Sequence, residues 1–177
     1  MSRVVLSTLL VISLGACGSD EPEFPEGPDL GFTSPDVAGG EVVPDVTCAD
    51  SGVSPELRWE GVDRADEYAV TVTDPDAPGG TFVHWVIWGI PASESELVSD
   101  VGPDEFVQGT NDYDEEGYGE ICPPEGETHT YVFKLFALDG HPTEDLGQGA
   151  SHEDFLGAVE CCVLAVDEFT GKYTGVE

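Results

Sequence analysis

The chain has 177 residues, of which 37 are Asp or Glu and 5 are Lys or Arg, for a formal net charge of −32. This balance excludes a nucleic-acid-binding surface, because too few cations are present to neutralise phosphates along a strand. The acidic residues are spread along the whole sequence, which indicates a solvated, self-repelling surface rather than one acidic tail.

The N-terminus has the pattern of an export signal. Arg3 precedes an apolar run, Val4 to Leu14, and two small residues then lead into Cys17. This order predicts a lipoprotein signal peptide over residues 1–16 and a lipid on Cys17; the alternative is an ordinary secretory signal with an incidental cysteine. Residues 17–29, rich in Gly, Asp, Glu and Pro, are predicted to be an acidic flexible tether. We therefore expect a membrane-anchored lipoprotein of the cell envelope that faces outside the cytoplasm, at the outer membrane or in the periplasm.

Residues 30–177 are long enough for one domain with a sizeable core. Strands are predicted where β-branched and aromatic residues dominate: Tyr68 to Thr73, Phe82 to Ile90, Tyr131 to Leu138, and a last strand that starts at Val163–Val166 and runs toward Phe169. One helix is predicted after Ser151, because Ser151 is a good N-cap, Asp154 follows three residues later, and an apolar stripe at helical spacing comes next. These features favour a mainly β fold with a late helix.

Two segments bring together polar groups that suit a small-molecule site. Asp74 and Asp76 are each followed, directly or after one residue, by proline, so we expect them in a rigid loop rather than in a regular central strand. His84 begins the next apolar run, where a carboxylate partner would fix its tautomer and favour the protonated ring. His129 and Tyr131 are two residues apart and share one face of a strand. A glycine at 119 allows close approach of the backbone to an anion.

These segments resemble the phosphatidylethanolamine-binding protein family, and most closely its bacterial branch of Raf-kinase-inhibitor-like proteins. The motifs that carry the resemblance are Asp-Pro-Asp-Ala-Pro at 74–78, His-Trp at 84–85, Cys-Pro-Pro at 122–124, His-Thr-Tyr at 129–131 and Phe-Thr-Gly-Lys-Tyr at 169–173, within residues 30–174. The resemblance implies a large central antiparallel sheet, a smaller second sheet and peripheral helices.

The resemblance also implies an anion-binding pocket. Its positions match Asp74, Asp76, His84, Gly119, His129 and Tyr131, with Pro123 and Pro124 at the rim. This chain departs from bacterial relatives, which usually carry Gly-Pro before the cysteine where it has Glu120 and Ile121. Glu120 adds a carboxylate to the rim, which leaves room for a cationic or zwitterionic ligand.

Four cysteines remain once Cys17 is set aside, and they allow three pairings. Cys48 and Cys122 lie in loop motifs that flank the implied pocket, so we expect a disulfide between them. Cys161 and Cys162 would then form a strained vicinal disulfide or stay as two buried thiols. No C-x-x-C spacing occurs, which disfavours a metal site made of the four cysteines. We assign no metal ligands and expect no cofactor.

We expect a lipid-anchored extracytoplasmic binding protein without enzymatic activity. Its ligand would be small and anionic or zwitterionic, such as a phospholipid headgroup or another phosphorylated molecule. The alternative is a protease inhibitor or other protein-interaction module, whose target the sequence leaves open. A nucleophilic pair of Cys122 and His129 is disfavoured by the expected disulfide. An EF-hand starting at Asp112 is rejected because its twelfth position is Pro123, while a looser acidic calcium site stays open as an alternative.

Overall fold

The computed structural model describes residues 22, 24 and 27–176. The predicted signal peptide and the predicted lipidation site, Cys17, lie outside the described residues. The elements in chain order are β1 (Val37–Ala38), β2 (Glu41–Val42), a 3-10 turn (Pro44–Val46), β3 (Leu57–Arg58), β4 (Glu67–Asp74), β5 (Phe82–Pro91), β6 (Glu96–Leu97), β7 (Val107–Gln108), β8 (Thr128–Leu138), α1 (His152–Val159) and β9 (Val163–Thr174).

The main sheet has seven strands in the order β1-β2-β9-β8-β4-β5-β7, and β3 and β6 form a second, two-stranded sheet. Neighbours in the main sheet are antiparallel, except that β2 runs parallel to β9, with Glu41 opposite Lys172. The predicted mainly β architecture, with a large sheet and a small one, is confirmed. The predicted peripheral helices amount, among the described residues, to α1 and the 3-10 turn.

Both faces of the main sheet are covered, which explains why its central strands read as continuous apolar runs. All eight residues of β4 are buried. One face packs into a core that includes Trp85, Tyr131 and Phe133. The other face packs against α1 through a second core that includes Trp88. Because side chains alternate along a strand, consecutive residues of β4 and β8 serve different cores.

Helix α1 begins where the sequence predicts. The Ser151 hydroxyl accepts a hydrogen bond from the Asp154 N–H (3.1 Å), and the Asp154 carboxylate accepts one from the Ser151 N–H (3.2 Å), which completes a capping box. Phe155, Leu156 and Val159 are the buried residues of the helix, as the apolar stripe indicates. The helix is short, and no helix of the described part of the chain could cross a membrane.

One local expectation was wrong. Asp74 is the last residue of β4 and pairs with Phe82 of β5, rather than lying in the loop. Proline constrains its own position most strongly, and the residue before it favours an extended backbone, so Pro75 ends β4 just after Asp74 without excluding Asp74 from it. Asp76 does lie in the turn between β4 and β5.

The predicted tether contacts the domain before residue 30. The rings of Phe24 and Phe136 meet edge to face with centroids 5.3 Å apart, and Phe24 packs with the core beneath α1. Packing of the chain on this face of the sheet therefore begins at least six residues earlier than the sequence boundary indicates.

Candidate functional site

A buried ion pair lies where the ends of β4 and β8 meet. The Nδ1 of His129 donates to the Oδ2 of Asp74 across 2.7 Å, and both side chains are almost fully buried. The other oxygen of Asp74 accepts the N–H of Asp76 (2.9 Å). Burial disfavours a charged imidazole, but the hydrogen bond and the negative charge of Asp74 outweigh it, so the pKa of His129 is raised. The protonated imidazole can therefore donate from Nε2, although the Asp74 carboxylate balances its positive charge.

Asp76 holds the loop after β4 against the start of β8. Its Oδ2 accepts the N–H of Thr130 across 2.8 Å, and its own N–H is bonded to Asp74. Each of these bonds restricts the loop backbone, so Asp76 positions the buried ion pair. Its side chain belongs to an exposed residue and lies beside the pair rather than within it.

His84 has a different environment from His129. Its Nδ1 lies 2.9 Å from the carbonyl oxygen of Gly119, and the N–H of Gly119 donates to the carbonyl of His84 (2.7 Å). Burial lowers the pKa of His84, and the carbonyls of Gly119 and Glu120 oppose this only in part. Because a carbonyl only accepts, Nδ1 carries the hydrogen and Nε2 of the neutral ring is an acceptor. The carboxylate partner expected for His84 is found on His129 instead.

Tyr131 is close to His84 and is two residues from His129 in β8. The residue is fully buried, and its hydroxyl has no hydrogen-bond partner among residues 22, 24 and 27–176. The rings of Tyr131 and His84 are 5.4 Å apart. Burial, followed by the charge of Asp74, raises the pKa of Tyr131, so the hydroxyl keeps its proton and remains a donor. A buried donor without a partner is rare in folded proteins, so the Tyr131 hydroxyl calls for an explanation such as an ordered water or a ligand.

An aromatic wall covers this cluster, and sequence reasoning missed it. Tyr113 lies over Phe82 and His84, with ring centroids 4.8 Å and 5.9 Å away, and its hydroxyl donates to the carbonyl of Glu120 (3.2 Å). A side chain on Gly119 would place Cβ only 2.6 Å from the Tyr113 ring. Gly119 is therefore needed for the ring of Tyr113 to pack against the backbone at this position. The sequence signal that could have identified this wall is an aromatic residue, Tyr113, six positions before Gly119.

The loop over residues 109–121 also takes the place of a strand beside β5. The N–H groups of Gly109, Asp112 and Gly119 donate to the carbonyls of Val86, Val83 and His84, at 2.8, 2.9 and 2.7 Å. The Asp112 carboxylate accepts the N–H of Val83 across 2.7 Å. The backbone of the site loop is thus fixed by the edge of the sheet, which gives the loop residues definite positions.

The rim contains acidic and disulfide-bonded residues. Glu120 and Pro124 are exposed, while Pro123 is buried. The structure joins Cys48 to Cys122, with their Cα atoms 5.4 Å apart, which secures the loop that follows Glu120. The two sulfurs and the Glu120 carboxylate lie within 4.8 Å of one another, but bonded sulfurs offer no thiolate to a metal.

The remaining cysteines lie elsewhere. Cys161 and Cys162 form a vicinal disulfide directly after α1, so the alternative of two buried thiols does not hold. A groove of about 890 Å³ runs between α1 and the sheet and is lined by residues such as Thr73, Val132 and Leu156. The groove lies on the opposite face of the sheet from the buried ion pair, because Thr73 and Asp74 are consecutive in β4.

Comparisons with known proteins identify the family. The family model described as phosphatidylethanolamine-binding protein matches residues 33–174. The chain belongs to the phosphatidylethanolamine-binding protein family. Within this family, it is similar to the crystal structure of Escherichia coli YbcL, described as a new member of the mammalian PEBP family, with a TM-score of 0.75 and 31% identity over 83% of this chain and 99% of YbcL.

Two curated relatives show how much of the chain the similarity covers. A UPF0098 protein of Pyrococcus horikoshii is 35% identical in an alignment of 179 residues that covers 96% of this chain and 87% of that protein. A Mycobacterium tuberculosis protein named putative lipoprotein LppC is 32% identical in an alignment of 150 residues that covers 73% of this chain and 75% of LppC.

Proposed function

We propose that this protein binds a small anionic or zwitterionic ligand with a phosphate-like group at Tyr131, His129 and His84. The observation that carries the proposal is the fully buried Tyr131 hydroxyl, which has no partner among the described residues. It lies beside one histidine with a raised pKa and one whose ring stays neutral. The Tyr131 hydroxyl and the protonated His129 would donate to an oxyanion, while the His84 Nε2 would accept the hydroxyl of a protonated phosphate.

The acidic surface does not prevent such binding. At physiological ionic strength, exposed charges more than about 8 Å apart are largely screened, whereas groups in direct contact are not. The donors of the site therefore contribute more than the distant carboxylates. A headgroup that also carries an ammonium would gain attraction from exposed rim carboxylates such as Glu120.

We propose that the protein works outside the cytoplasm, held by a lipid on Cys17. The signal-like N-terminus supports this location, as does the Cys48–Cys122 disulfide, because such bonds persist in oxidising compartments. A relative named as a putative lipoprotein agrees with it. We further propose binding without catalysis, since the disulfide occupies the sulfur of Cys122, the nucleophile considered above.

Calorimetric titration tests the proposal. Residues 18–177 retain every described residue and can be titrated with phosphate, phosphoethanolamine and phosphocholine, with choline as the cationic control. We expect saturable binding of at least one phosphorylated compound, and its loss in Tyr131→Phe and His129→Gln. Tyr68→Phe, in the same core, is the control and should bind normally. Absence of binding to all three phosphorylated compounds would refute the anion site and favour the protein-interaction alternative.

A further inference from the structure

Glu127 lies beside His129, and its backbone is held in place by hydrogen bonds. It directly precedes β8, and because side chains alternate, Glu127, His129 and Tyr131 project to the same side. Its N–H donates to the carbonyl of Pro124 (2.9 Å), and its carbonyl accepts the N–H of Gly175 (3.0 Å). The backbone of Glu127 is therefore held by the end of β9, and only its side chain is free to turn.

The Glu127 carboxylate lies against the outer nitrogen of His129. Its Oε2 is 3.5 Å from His129 Nε2, while Nδ1 of the same ring is bonded to Asp74. An imidazole has two nitrogens, so Nε2 is the one left for a ligand anion, and a carboxylate of the protein already faces it. The Glu127 side chain is 59% exposed, whereas that of His129 is 6% exposed.

We propose that Glu127 is an affinity-setting residue that occupies the His129 Nε2 in the ligand-free protein and competes with any incoming anion. A phosphate that reaches His129 must displace this carboxylate toward solvent. This inference rests on the proposed anion site and goes further, because it assigns the strength of binding to a residue outside the buried cluster.

The expected size of the effect follows from exposure. Contacts of an exposed carboxylate are screened by solvent, and such pairs change equilibrium constants by about two- to fivefold. Glu127→Gln keeps the size of the side chain and removes the charge, so it should raise affinity for phosphate by about that factor. Glu125→Gln is the matched control, because Glu125 is an exposed carboxylate of the same loop and the substitution makes the same change in net charge.

The experiment uses residues 18–177 and measures two quantities in wild type and in both variants. The first is the dissociation constant for inorganic phosphate and for phosphoethanolamine, which separates free phosphate from the headgroup form. The second is the His129 titration midpoint by NMR, which needs no ligand. Asp74 and Asp76 remain in all three proteins, so a lower midpoint in Glu127→Gln alone reports the loss of Glu127.

Tighter phosphate binding together with a lower His129 midpoint, both confined to Glu127→Gln, supports the competition. If wild type binds phosphate and the two variants behave alike, the competition is overturned while the anion site stands. If none of the three proteins binds either compound, both proposals fall. If only Glu127→Gln binds phosphate, the Glu127 carboxylate of the wild type excludes the anion from His129, which also supports the competition.

Discussion

Replacing Tyr131 with phenylalanine should stabilise the ligand-free protein while abolishing ligand binding. The side chain is fully buried, and its hydroxyl has no partner in the described part of the chain. A buried polar group without a partner costs about 1–3 kcal/mol. Removing one oxygen leaves a small void, whose lost contacts offset roughly 0.5 kcal/mol of this gain. The free energy of unfolding should therefore rise by about 0.5–2.5 kcal/mol.

Tyr68→Phe is an internal control that should change the free energy of unfolding in the opposite direction. Tyr68 is also fully buried, in the same core as Tyr131. Its hydroxyl accepts the N–H of Val62 across 2.8 Å, so the substitution removes a made hydrogen bond and should cost about 1 kcal/mol. The same chemical change at two sites in one core is thus expected to move stability in opposite directions.

Urea denaturation with the disulfides intact measures both changes, provided that the variants share the slope of the wild type. In a thermal melt, 1 kcal/mol corresponds to about 2–4 °C for a domain of this size. The reasoning fails if Tyr131→Phe is destabilised as much as Tyr68→Phe. That result would mean that the Tyr131 hydroxyl is satisfied in the ligand-free state and is not a donor waiting for a ligand.

Three further outcomes can be measured. Because the pKa of His129 is raised in the folded protein, the ion pair stabilises the fold fully below the ordinary pKa near 6.5, and this stabilisation is lost as the pH rises through the raised pKa. The difference in unfolding free energy between wild type and His129→Gln, measured by urea denaturation, should therefore shrink as the pH rises. A difference that stays constant with pH would contradict this. Gly119→Ala should displace Tyr113, weaken phosphate binding and destabilise the protein by about 1–3 kcal/mol, whereas unchanged binding would show that Tyr113 is not part of the wall. Replacing Cys48 and Cys122 by serine opens a link between residues 74 positions apart and should cost about 4 kcal/mol in unfolding free energy, with no change in stability as the contrary result.

Local patterns were sufficient to predict the four long strands, the helix and the shared face of His129 and Tyr131, but not the five two-residue strands. Strand composition and capping chemistry act over a few residues, so a single sequence reveals them. The capping box of Ser151 and Asp154 is an example, since its residues are three positions apart. Asp74 shows the limit of such reasoning, because the proline after it ends the strand without excluding Asp74 from it.

Contacts between distant segments could not be predicted in this way. The registers of the sheet place Asp74 opposite Phe82 in β5 and, continued by one residue, opposite Tyr131 in β8. His84 and His129 are therefore both diagonal neighbours of Asp74. Asp74 bonds His129, while the Nδ1 of His84 bonds the carbonyl of Gly119, which belongs to a loop distant in sequence. The position of Tyr113 likewise depends on how its loop folds over β5.

The loop over residues 109–121 has a consequence for self-association. It pairs with carbonyl groups of β5 that would otherwise form an open strand edge, and an open edge is a template for pairing with a second copy. Substitutions that loosen this loop would therefore expose an unpaired edge of β5 as well as disturb the site. If a ligand binds at the proposed site, its contact with Tyr113 would stabilise the loop and so also protect the protein against aggregation.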